Sequence, residues 1–217
     1  MEASANVWVQ LRSIQYVQDE AGNTETCYPG DWVKVGKQTA LRWIASGEAW
    51  ALAEKIAALL PEDSGVVIRG PKEAVSQLGN LAGELKVAFG EPRPEFAHTL
   101  CWDAVLKLPA HLIGSGFHLL ERGWQLVVPL CDYELLALRI GSEEDRERAK
   151  QIIPDLRVPV YQTGLMFVQR CPDTLRLFAA WKEQRAGISD ERLAFLCALY
   201  LSKPLVLALP VTWLELE

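Results

Sequence analysis

The sequence predicts an α/β protein, a mixed sheet flanked by helices and preceded by a small β-rich module. Three observations carry this. From about residue 65 onward, short apolar runs of buried-strand type alternate with helical spacings. Before residue 47, strands read instead as apolar–polar alternation between turn signals. Half of the 217 residues are hydrophobic, enough for a sizeable core. The division falls between residues 1–47 and 48–217.

Val7-Trp-Val-Gln-Leu alternates as a half-buried strand does. Asp19 to Thr24 is a turn signal, with Gly22 and Asn23 suited to positive φ. Pro29-Gly30-Asp31 marks a second turn, and Trp32-Val-Lys-Val resumes the strand pattern. Thr39 to Ala45 spaces Leu41 and Ile44 as a helix does, and Ser46-Gly47 stops it. Ala49 to Leu60 is Ala-rich, free of breakers and followed by Pro61, which predicts another helix.

Val66-Val-Ile then reads as a buried strand and Pro71 to Leu85 as helical. Thr99-Leu-Cys-Trp is an apolar run ending at Asp103, Phe117 to Arg122 a short helix, and Trp124 to Leu130 a buried strand. Ser142 to Ile153 is a charged helix with Ser142 as its N-cap and Asp145 in its first turn. Tyr161 to Gln169 reads as a strand and Asp173 to Ala186 as an amphipathic helix. Ser189-Asp190-Glu191 opens a helix through Tyr200, and Leu205 to Leu209 closes the series as a strand.

Charge and composition narrow the function. A net charge of −6 argues against a general nucleic-acid binder, which needs a basic face. No run approaches the ~18 apolar residues of a membrane span, and Met1 to Val9 lacks the basic cluster and apolar run of a secretory signal. The expectation is a soluble cytoplasmic protein. Cys27, Cys101, Cys131, Cys171 and Cys197 show no paired spacing, so all five are expected as free thiols. His98, His111 and His118 lack the helical-turn spacing and the Glu of a zinc protease.

Three stretches, with a C-terminal strand after them, resemble glycosyltransferases of the GT-A type, over residues 65 to 213. Pro94 to Leu108 is similar to the family's hydrophobic strand running into an Asp-x-Asp motif, with Asp103 at the first acidic position and Val105 at the second. Tyr161-Gln-Thr-Gly-Leu-Met-Phe-Val resembles its Asn-x-Gly turn, Gln162 taking the Asn place and Gly164 the glycine. Ser189-Asp190-Glu191 resembles its acidic pair at a helix start. Leu207 to Trp213 is similar to a C-terminal strand of the family.

The resemblance implies a nucleotide-sugar domain over 48–217, with a nucleotide-sugar donor and an acceptor as partners. It implies catalytic roles for Asp190 and Glu191, substrate contacts from Asp103, Gln162, Gly164 and Arg69, and Asp103 as ligand of a divalent cation, Mn or Mg. With Val105 in place of a second carboxylate, that cation is expected to be weakly held. A late C-terminal His, a further metal ligand in many members, has no counterpart after His118.

Each residue also has a plainer reading. Asp103 ends a strand, Asp190 caps a helix, Gly164 packs or forms a bulge, and Arg69 is solvated. Trp32, Trp43, Trp50 and Trp124 read more readily as core than as sugar platforms. Tyr28-Pro-Gly-Asp-Trp-Val-Lys-Val is similar to small β-rich modules of phage-type or mobile-element proteins. Two functions therefore stand side by side: sugar transfer from a nucleotide donor, or a catalytically inactive GT-A-like binding or scaffold protein, of phage or mobile-element origin.

Overall fold

The computed structural model describes residues 6–18, 24–29, 31–51, 60–106, 110–131 and 135–210. The predicted turn at 19–23, residues 52–59 of the expected second helix, and 211–213 of the last family-like stretch lie outside the described residues.

The N-terminal part builds on β1 (Asn6–Leu11), which pairs antiparallel with β4 (Trp32–Gly36) on one side and β5 (Ala49–Ala51) on the other. A hairpin of β2 (Gln15–Gln18) and β3 (Thr24–Cys27) forms a separate two-stranded sheet. Val9, Leu11, Val33 and Val35 alternate inward and meet Ala40, Leu41, Trp43 and Ile44 of α1 (Lys37–Ala45). Gly47, at φ 74°, reverses the chain after α1. Ala49–Ala51 is strand, where the composition had predicted helix: the open edge of β1 takes up its backbone groups, which outweighs alanine's propensity. The N-terminal sheet thus extends past residue 47. Helix α1 packs on the next helix, α2 (Ala110–Glu121).

The main sheet has six strands, in the order β11 (Val206–Leu209), β9 (Leu126–Pro129), β10 (Leu165–Gln169), β8 (His98–Asp103), β6 (Ser64–Arg69), β7 (Lys86–Phe89). Only β10 runs against the others. Val66-Val-Ile and Leu126-Val-Val lie in this one sheet, as the sequence predicts. Both of its faces are covered, which is why β6, β8 and β9 read as unbroken apolar runs.

On one face Cys101, Met166, Val168, Leu126 and Val128 pack under α3 (Glu143–Lys150), α4 (Pro172–Gln184) and α5 (Glu191–Ser202). On the other, Val66, Ile68, Leu100, Trp102, Leu165 and Phe167 meet α2 (Ala110–Glu121) and a 3-10 stretch, Lys72–Gly83. The Phe117 and Phe167 rings meet edge to face at 5.5 Å, a geometry worth about 1 kcal/mol beyond burial. Gly116 makes that approach possible, because a Cβ there would lie 2.3 Å from Phe167 Cζ.

Several bounds differ from the sequence expectation. The short helix at Phe117 belongs to α2, which begins at Ala110. The strand expected from Tyr161 begins only at Leu165, because the Gln162 N–H donates to the Pro129 carbonyl at 2.8 Å and the chain turns there before entering the sheet. Ser142 does cap α3: its hydroxyl accepts the Asp145 N–H, and the Asp145 carboxylate accepts the Ser142 N–H in return. All five cysteines are free.

Candidate functional site

Strands β6 and β8 run parallel in a register that pairs Arg69 with Asp103 at their carboxyl ends. Open α/β sheets bind ligands outside this edge. The Ala104 N–H donates to the Arg69 carbonyl at 3.1 Å, and the Asp103 N–H donates to the Gly164 carbonyl at 2.7 Å. The turn before the antiparallel strand β10 therefore arrives at the same edge. Helix α5 starts above it.

Arg69, Asp103, Gln162, Gly164, Asp190 and Glu191 all line one open crevice of about 390 Å³. The six residues singled out from the sequence thus come together. Among the described residues, Val105, Leu106, Thr163, Ser189 and Arg192 also line it and were not among the candidate site residues. Ser189 and Arg192 flank the acidic pair, Val105 stands at the second position of the Asp-x-Asp-like stretch and Thr163 between Gln162 and Gly164, so their positions were the available signal; Leu106 was placed only by the turn geometry.

The charges within the crevice are tightly paired. Arg69 donates from Nε and Nη2 to Asp103 Oδ2, at 3.0 and 2.7 Å, and from Nη1 to Glu191 Oε1. Burial pulls the Arg69 pKa down, but the hydrogen bonds to Glu191 and Asp103 outweigh it and the net shift is upward. The other Asp103 oxygen accepts the Val105 N–H at 3.2 Å. Asp190 is the N-cap of α5, its Oδ1 accepting the Arg192 and Leu193 N–H groups at 3.0 and 3.1 Å. Its plainer reading therefore holds, while Glu191 is the member of the pair whose carboxylate reaches Arg69.

Two supports hold the acidic segment in place. The Trp181 indole N–H donates to the Glu191 carbonyl at 3.1 Å. Buried Asp145 accepts the Ser189 N–H at 2.9 Å and the Ser189 hydroxyl at 2.6 Å. Those bonds from Ser189 hold the Asp145 carboxyl well below the usual carboxylate range, against the opposing effect of burial. Gly164 leaves the floor open: a Cβ there would lie 2.6 Å from Leu106 Cδ1 and 3.3 Å from Asp103 Cβ. Trp43 is core, as expected, and Trp124 is half-buried; the Trp32 and Trp50 side chains lie outside the described residues.

The donors do not fit a divalent cation at Asp103. A hard cation needs several oxygen ligands, and Arg69 already places a positive charge on Asp103 Oδ2. Among the described residues, no three His, Cys, Asp or Glu side chains cluster as a metal site. Nor, among the described residues, is any helix long and apolar enough to cross a membrane. Compared with known proteins, the sequence matches no family model and no curated sequence.

Proposed function

We propose that the crevice binds a nucleotide-sugar and that the chain transfers the sugar to an acceptor hydroxyl, as a metal-independent relative of GT-A glycosyltransferases. The convergence of Arg69, Asp103, Gln162, Gly164, Asp190 and Glu191 on one edge of a mixed sheet flanked by helices is the observation that carries this reading. In it, Arg69 supplies the charge that a cation supplies elsewhere: the guanidinium moves from its carboxylates to the diphosphate, which it matches in a bidentate manner. Asp103 then accepts hydrogen bonds from sugar hydroxyls, Gln162 both accepts and donates them, and Gly164 lets the sugar approach the backbone. Glu191, released from Arg69, takes the acceptor's proton while the bond from the anomeric carbon to the diphosphate oxygen breaks and the acceptor oxygen bonds to that carbon. Asp190 fixes the backbone from which Glu191 projects.

One observation favours the non-catalytic alternative. Arg69 bridges Asp103 and Glu191, so neither carboxylate is free to act as a base until a ligand displaces it. A thermal-shift panel of UDP-, GDP- and dTDP-sugars, with manganese or with EDTA, separates these outcomes when combined with an assay for released nucleoside diphosphate. At a hundred times its dissociation constant a ligand stabilises by about 2.7 kcal/mol, or roughly 5–11 °C for a chain of this size. A shift that survives EDTA, with diphosphate release, supports the enzyme. A shift without release supports the binding protein, a shift that disappears in EDTA restores a metal-dependent site, and no shift with any donor removes the nucleotide-sugar reading.

A further inference from the structure

A concavity of about 810 Å³ lies far from the crevice in sequence, between the β2–β3 hairpin, β4 and α1. Among the described residues its polar lining is Tyr16, Gln18, Thr24, Lys34, Thr39 and Arg42, with no carboxylate. Tyr16 is 71% exposed, too much for a ring serving the core. Lys34 and Arg42 are exposed and form no ion pair with any described residue, in a chain whose net charge is −6. Most arginines on the main sheet and its helices, by contrast, have carboxylate or carbonyl partners.

We propose that this groove binds an acidic glycan, a chain of sugars bearing carboxylates. Lys34 and Arg42 match the carboxylates, Arg42 with the bidentate geometry of a guanidinium. The hydroxyls of Thr24 and Thr39 and the amide of Gln18 both donate and accept, as sugar hydroxyls require. The Tyr16 ring offers an apolar face with a polar tip for a sugar ring to lie on. Concave sites of ~300–1,000 Å³ are the usual size for small-ligand binding. Double-stranded nucleic acid fits less well, because tight binding draws on about 6–10 phosphate contacts and the described lining residues supply two cations. The proposal stands apart from sugar transfer in the crevice and survives its failure.

The test is calorimetric titration of the full chain with trigalacturonate, and in parallel with maltotriose, a glutamate-rich peptide and an oligo-dT strand. Trigalacturonate is expected to bind, with weakening as salt rises and little or no binding of maltotriose. Lys34→Glu with Arg42→Glu should weaken binding by roughly tenfold or more, and Tyr16→Ala should weaken it as well. All three side chains are exposed, and an unchanged melting temperature verifies the fold; if charge reversal lowers it, Lys34→Gln with Arg42→Gln takes its place. Hydrogen-exchange protection by trigalacturonate should centre on residues 16–18 and 34–42. Absence of trigalacturonate binding up to millimolar concentration, equal binding of maltotriose, tighter binding of the peptide or oligo-dT, or affinity indifferent to the charge changes would each overturn the proposal. The nucleotide-sugar thermal shift of the same variants, which leave the crevice intact, reports on the crevice separately.

Discussion

Arg69→Met tests the paired crevice most directly. The substitution keeps much of the apolar stem and removes three hydrogen bonds to two carboxylates. It leaves Asp103 and Glu191 without their shared countercharge. The side chains are 26% (Arg69), 17% (Asp103) and 30% (Glu191) exposed, between a surface pair and a buried one. Surface pairs contribute about 0–1 kcal/mol, and removing one partner of a buried pair costs about 3–5 kcal/mol. The expected loss is therefore about 2 kcal/mol, or roughly 4–8 °C in melting temperature. Urea unfolding with linear extrapolation measures it. Arg69→Met combined with Asp103→Asn and Glu191→Gln should recover most of the loss, since the cost lies in the two uncompensated charges. A loss below about 0.5 kcal/mol, or a triple variant no more stable than the single one, would refute the electrostatic account of the crevice.

Gly164→Ala should cost only about 1 kcal/mol, because the displaced atom is the end of the Leu106 side chain. It should nevertheless weaken nucleotide-sugar binding, and donor affinity equal to the parent protein's would show that the floor of the crevice is not used. Asp145 has its pKa lowered in the fold, so its contribution is present above the ordinary carboxylate value of about 4 and is lost as pH falls below it. Asp145→Asn should melt lower than the parent at pH 7 and converge with it in acid, as scanning calorimetry across pH would record. His118 is buried, neither ring nitrogen is hydrogen-bonded among the described residues although the Glu121 carboxylate lies 3.7 Å from Nδ1, and burial followed by Arg122 outweighs Glu121 and lowers its pKa. Its neutral form is the folded one, so stability should fall as pH drops through about 6.5, and His118→Leu should flatten that slope between pH 7 and 5. Burial pushes the Cys101 thiol up to about 12 and Cys197 up to about 11, so native alkylation at pH 8 followed by mass spectrometry should leave both unmodified.

Local chemistry made much of this protein legible. Val66-Val-Ile, Thr99-Leu-Cys-Trp and Leu126-Val-Val declare strands covered on both faces, because only burial on both sides tolerates such runs. Ser142 with Asp145 and the Asp190 side chain declare helix starts, because cap bonds span only two or three residues. The six candidate site residues were also readable, as strand ends, a turn and a helix start. Longer-range pairing determined the rest. Ala49–Ala51 is strand because β1 has a free edge beside it, a fact that no window on that segment contains. The partner of Arg69 depends on the register between β6 and β8, which sets it opposite Asp103 across 34 residues of chain. Asp145 signals only a capping box locally, yet its carboxylate also holds Ser189, 44 residues away. Side-chain type and spacing set which atoms are available for bonding, whereas non-local packing alone sets which of them meet.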